Sequence, residues 1–197
     1  MPRRTYGLIG KSLSHSFSKD YFTQKFDSLN LPHKYFNFEL NSIHEIMDLI
    51  ETQKDLRGLN VTIPFKESII PHLDEIDPIA AQIGAVNTVS ITEGKLKGFN
   101  TDAFGFKQLI KPFFKGHHER ALILGSGGAS KAVRFVLENL GVECNTVSRN
   151  PDTTQLNYNQ LNNHVLNAHL LIVNTTPLGM FPTINACPNI PYDLLTE

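Results

Sequence analysis

Two blocks of alternating strand and helix patterns, parted by a polar joint, predict an α/β protein of two domains. The second block opens on a glycine-rich turn between an apolar run and a helical run, and that order fixes its type. Residues 1–114 form the first expected domain and residues 115–197 the second.

In the first block, strands are expected over Thr5–Ile9, Lys34–Phe38, Gly58–Ile63, Val86–Thr92 and Lys95–Phe99. Each is short, and the first four are rich in β-branched or aromatic residues. Helices fit Ser18–Asn30, Ser42–Gln53, Glu67–Glu75, Pro78–Gly84 and Thr101–Phe114. Glu93-Gly94 should close a hairpin between the last two strands. The polar stretch Lys115-Gly-His-His-Glu-Arg120 then reads as a solvated linker. His117 and His118 are adjacent and so poorly placed to share one metal ion, and no metal site is expected.

After the joint come a strand at Arg120–Leu124, a helix at Ala129–Leu140, and strands at Val142–Ser148 and Leu170–Thr175. This is the opening of a Rossmann-like, doubly wound fold. The Asn- and Thr-rich segment Asn150–Asn163 carries no clear pattern.

The chain has 197 residues, 41% of them apolar and 19% charged, with net charge −1. These values suit a globular protein and give no electrostatic basis for nucleic acid or anionic membrane as partner. Apolar runs are too short to span a bilayer, and Met1-Pro-Arg-Arg leads into a strand rather than a signal-peptide core. Cys144 and Cys187, without metal spacing, suit reduced thiols of a cytoplasmic protein. Oligomeric state is not legible.

Chemistry concentrates in a few runs. In Gly58-Leu-Asn-Val-Thr-Ile-Pro-Phe-Lys66, a strand with one polar edge is stopped by Pro64, so Asn60, Thr62 and Lys66 are carried to its end. Gly98-Phe-Asn-Thr-Asp-Ala-Phe-Gly105 adds Asn100 and Asp102. A lysine and an aspartate at the mouths of different elements can move a proton on and off a hydroxyl, though either could be a plain helix-start charge.

Gly125, Ser126, Gly127, Gly128 and Ala129 form a dinucleotide fingerprint in the right context, with Ser130 replacing the third glycine. Its backbone N–H groups and the helix end would bind a pyrophosphate. At the end of the next strand, where an NAD site usually has an acid, stand Ser148 and Arg149. An arginine pairs with a 2′-phosphate, so the residues favour NADP. Asn174 and Thr175, before Pro177 and Gly179, close the following strand where such sheets bind ligands.

In this order the motifs resemble the shikimate dehydrogenase family along essentially the whole chain: Gly10…His15-Ser-Phe-Ser18, Asn60–Lys66, Gly84-Ala-Val-Asn-Thr88, Asn100-Thr-Asp102, Gly125–Ala132 and Asn174-Thr-Thr-Pro177. The resemblance implies NADPH-dependent, reversible reduction of 3-dehydroshikimate to shikimate, a step of aromatic amino-acid biosynthesis. It implies Lys66 and Asp102 as catalytic residues. Ser16 and Ser18 would donate to the substrate carboxylate from an extended segment, while Thr62, Asn87 and Asn60 would hold ring hydroxyls. Ser18 could equally cap the following helix.

The sequence departs from the family at Lys19, Phe22 and Ser148, where Pro, His and Asn are usual. The family's further strand, Tyr-bearing loop and terminal helix with a Gln are not found before Glu197, so the chain is expected to be a fragment with an exposed sheet edge. Two other readings remain: a quinate/shikimate dehydrogenase using NAD, and a noncatalytic nucleotide- or metabolite-binding module.

Overall fold

The computed structural model describes residues 2–195. Its contacts divide the chain after Thr101 into two units.

The first unit is built on a six-stranded sheet. Its strands are β1 (Thr5–Gly10), β2 (Lys34–Glu39), β3 (Leu56–Val61), β4 (Glu75–Ile76), β5 (Thr88–Thr92) and β6 (Lys95–Phe99), in spatial order β2-β1-β3-β5-β6-β4. β2, β1 and β3 run parallel, and β5 pairs antiparallel with both β3 and β6. The β5–β6 connection is the expected hairpin. Glu93 and Gly94 both take positive φ, 53° and 80°, as a turn matching the strand twist requires.

Helices α1 (Ser18–Ser28), α2 (Ile46–Thr52), α3 (Phe65–Ser68) and α4 (Pro78–Ile83) complete the unit. Ile9, Ile46, Leu59, Ile69, Val86 and Val89 belong to its main core. A smaller cluster of Leu8, Leu13 and Tyr35, with Phe22 and Phe26 packed on it, seats α1.

The helix expected over Glu67–Glu75 does not form. α3 ends at Ser68, a single 3₁₀ turn covers Ile70–His72, and Glu75 enters β4. Pro71 supplies the reason: it has no N–H for a helical bond. Leu73 then turns extended, and Asp74 N–H donates to the Leu96 carbonyl of β6 at 3.0 Å.

The second unit holds a four-stranded parallel sheet of β7 (Arg120–Leu124), β8 (Glu143–Ser148), β9 (Leu156–Asn157) and β10 (Leu171–Asn174), ordered β10-β7-β8-β9. Helices α5 (Asp102–Ile110), α6 (Gly128–Asn139) and α7 (Asn163–Ala168) accompany it. α5 packs on α6, and Phe106 and Phe114 pack against Ala121, Ile123, Val133 and Leu137. These apolar contacts group α5 with the second unit, whereas the sequence rhythm placed it with the first. β9 and a 3₁₀ turn at Tyr158–Gln160 occupy the stretch Asn150–Asn163, whose pattern was unreadable, and α7 begins at its end. Asn side chains make both starts: Asn157 accepts from Asn159 N–H at 3.0 Å, and Asn162 from Val165 N–H at 3.1 Å.

Candidate functional site

In the first unit, β3 ends at Val61, so Thr62 lies just beyond the strand. Thr62 N–H donates to the Ile9 carbonyl at 2.9 Å, and the Thr62 carbonyl accepts from Phe65 N–H at 2.9 Å. That turn delivers Lys66, half-buried, into α3. The Lys66 carbonyl accepts from Val86 N–H at 2.7 Å, which ties the lysine's backbone to the segment leading into β5.

Asn87, in that segment, is buried and held on all sides of its backbone. Its N–H donates to Phe99 at 3.0 Å and its carbonyl accepts from Val61 N–H at 2.8 Å. Its side-chain oxygen accepts the Thr101 N–H at 2.8 Å, and its amide donates to Thr101 Oγ1 at 2.9 Å. Asn100 donates to the Ala85 carbonyl at 2.9 Å. Two consecutive residues before Asp102 are thereby fixed against the Ala85–Asn87 segment, and Asp102 itself opens α5.

Asn60 lies on β3, its oxygen accepting from Tyr35 Oη at 2.8 Å and its amide facing Thr88 Oγ1 at 3.4 Å. An open pocket of about 340 Å³ carries Tyr35, Asn60 and Thr88 beside Phe22, Phe26 and Phe99. Tyr35 was not among the residues expected to matter, and nothing in the spacing pointed to it.

Ser16 and Ser18 do not share an extended segment. Ser16 N–H closes a turn on the Leu13 carbonyl at 3.0 Å, and Ser18 is already the first residue of α1. The capping role is also exchanged between them. Phe17 occupies the cap position without a side-chain bond, while Ser16 Oγ accepts from Ser18 N–H at 3.2 Å. A hydroxyl that accepts there can still donate its own proton.

In the second unit, Gly125 has φ +112° and its N–H donates to Val147 at 2.9 Å. Gly127 caps α6, and a Cβ there would meet nothing within 4 Å. The turn is therefore open at Gly127 to close approach of a pyrophosphate at the N-terminus of α6, with Ser126 in the same turn and Gly128 and Ala129 opening the helix. Ser130, where a glycine was expected, is buried and donates to the Gly127 carbonyl at 2.7 Å, bracing the turn.

Because β10 and β8 flank β7 on opposite sides, the loop after β7 sits where the strand order reverses, the usual ligand position in such sheets. Asn174 and Thr175 stand at the same end. Thr175 N–H and Oγ1 both donate to the Leu124 carbonyl, at 2.9 and 2.7 Å. Asn174 accepts from Thr176 N–H at 2.9 Å and donates to Leu178 at 3.0 Å, shaping the turn. At the end of β8, buried Ser148 accepts from Asn150 N–H at 3.3 Å, and Arg149, the next residue, is exposed. Burial pushes the Tyr158 phenol up from its ordinary value, and the cationic Arg149 nearby opposes it.

His117 and His118 stack edge-on at 4.6 Å in the joint. Among the described residues no group of three or more His, Cys, Asp or Glu could hold a metal ion. No helix of the described residues is long and apolar enough to cross a membrane.

Fold and loops together define a two-unit α/β protein of the dinucleotide-binding class. Residues 8–89 match the model of the shikimate dehydrogenase substrate binding domain. Over 210 residues the chain is 34% identical to shikimate dehydrogenase (NADP(+)) of Methanosphaera stadtmanae, covering 97% of this chain and 74% of that one. Shikimate dehydrogenase 1 of Peptoclostridium difficile superposes with a TM-score of 0.84 at 36% identity, over 94% of this chain and 72% of the other. The Thermus thermophilus shikimate 5-dehydrogenase, crystallised with NADP(H) and shikimate, gives 0.81 at 32% identity, over 98% and 75%. The chain belongs to the shikimate dehydrogenase family.

Proposed function

We propose that this protein catalyses the reversible NADPH-dependent reduction of 3-dehydroshikimate to shikimate, in aromatic amino-acid biosynthesis in the cytoplasm. The observation that carries the reading is a polar cluster around Asn87 in the first unit, joined in one chain to a glycine turn fit for a dinucleotide in the second.

The first domain, 1–114 by sequence rhythm, takes the substrate, and the second, 115–197, the cofactor. NADP, when bound, supplies or accepts the hydride. Gly125, Ser126, Gly127, Gly128 and Ala129 hold its pyrophosphate. Ser148 and Arg149 take the 2′-phosphate, with Asn174 and Thr175 beside its ribose or nicotinamide. Ser16 and Ser18 donate to the substrate carboxylate. Thr62 and Asn87 receive ring hydroxyls, and Asn60 stands behind Asn87.

Lys66 and Asp102 move the proton. In reduction the ketone oxygen gains a proton as carbon gains hydride, and in oxidation the new base takes it back from the hydroxyl. Lys66 Nζ is the favoured donor and acceptor, and Asp102 holds the same hydroxyl in place. The half-burial of Lys66 and the pinning of its backbone to Val86 support a fixed position for that group.

Appearance of NADPH absorbance from shikimate and NADP⁺ tests this directly. A shikimate-dependent rate is expected; a purified, folded protein without one would refute it.

A further inference from the structure

We propose that Tyr35 is a positioning residue for the substrate, acting through a directional chain of hydrogen bonds, Tyr35–Asn60–Thr88–Asn87, that together with the Thr101 N–H holds the Asn87 side chain in place at the ligand. The inference rests on the substrate role given above to Asn87.

The chain's direction follows from one group that can only donate. Thr101 N–H lies 2.8 Å from the Asn87 side chain, so the atom facing it must be the oxygen. Thr88 Oγ1 approaches the same oxygen at 3.1 Å and must therefore donate to it. A hydroxyl has one proton, so from Asn60 it has to receive, and the Asn60 atom 3.4 Å away is the amide nitrogen. That leaves the Asn60 oxygen facing Tyr35 Oη at 2.8 Å, where the phenol is the donor. Each link thus has one allowed polarity, and Tyr35 closes the far end.

Its placement suits that job. Tyr35 lies on β2 and Asn60 on β3, with β1 between them, so the phenol reaches across a whole strand. The ring is buried and stacks on Phe22 of α1, centroids 4.6 Å apart and planes 12° apart. Phe22 therefore has a use here: it fixes the ring whose hydroxyl starts the chain. Burial also pushes the phenol's pKa up from its ordinary value, in the direction that favours the protonated, donating form.

With its oxygen occupied by Thr88 and Thr101 and its amide donating to Thr101 Oγ1, Asn87 is held in one orientation. Without Tyr35, the Asn60 amide loses the partner that sets its orientation and can turn its oxygen to Thr88, drawing the single Thr88 proton away from Asn87, which Thr101 alone then holds.

The test uses Tyr35→Phe, which keeps the ring and its stacking, and Thr88→Val, which breaks both later links. In full-length protein each should raise KM for shikimate about three- to tenfold, the value of one hydrogen bond. The values of kcat and of KM for NADP⁺ should stay within about twofold, a split that general destabilisation would not give. Because both variants cut one chain, the double variant should match the worse single variant. An unchanged KM in Tyr35→Phe, or single effects that multiply in the double variant, would overturn the proposal. A second readout needs no turnover: the side-chain amide NMR signals of Asn60 and Asn87 should both shift in Tyr35→Phe, and an unmoved Asn87 signal would also overturn it. Failure of the wild-type protein to bind shikimate would refute the substrate reading instead, and the chain would then stand or fall on those amide signals.

Discussion

Thr175 closes on Gly125 so tightly that a Cβ built at the glycine would lie 2.8 Å from Thr175 Oγ1. The hydroxyl is not free to retreat, because it and the Thr175 N–H both donate to the Leu124 carbonyl. The glycine turn after β7 and the polar loop after β10 are therefore one packed unit at the switch point of the sheet.

Gly125→Ala adds a methyl where φ is +112°, a conformation an alanine adopts only under strain of about 1–3 kcal/mol. Thermal unfolding should show a lowered midpoint, and NADP⁺ affinity measured by calorimetry should fall at a temperature where the variant is still folded. An alanine variant with wild-type melting and affinity would show that the turn tolerates a side chain.

Arg149→Ala should weaken NADP⁺ about tenfold while leaving NAD⁺ nearly unchanged, since only the former offers a 2′-phosphate to a guanidinium. Fluorescence titration with both nucleotides decides it. Equal losses would remove the arginine from phosphate recognition.

Much of this was legible beforehand. The glycine turn, the strands around it and the Glu93-Gly94 hairpin follow from local chemistry: positive φ, β-branched runs, a helix start. The helix expected over Glu67–Glu75 is cut short at Pro71, and β4, only two residues long and held by tertiary bonds from β6, leaves no strand pattern of its own. The geometry around Ser16 was equally hidden, since its turn depends on the Leu13 carbonyl and not on its own propensity. Tyr35 shows the wider limit. Its partner Asn60 is 25 residues away and a strand removed, and no periodicity reports a contact that only the sheet order creates.

Ser16→Ala should weaken shikimate about ten- to a hundredfold, the value of a hydrogen bond to a charged group, with little change in kcat at saturation. It also removes the acceptor of Ser18 N–H, so a small loss of stability accompanies the effect. Initial-rate kinetics over a shikimate series gives the answer. An unchanged KM would take Ser16 out of the carboxylate site.

Lys66 carries the central claim, because a noncatalytic binding module would not need it. The decisive measurement is the single-turnover rate of NADPH formation by wild type and Lys66→Ala, with the shikimate dissociation constant determined alongside. The rate is predicted to fall about 10²- to 10⁴-fold, as loss of a proton-transfer group demands, while shikimate still binds with near-normal affinity. A variant that turns over at the wild-type rate would contradict the account.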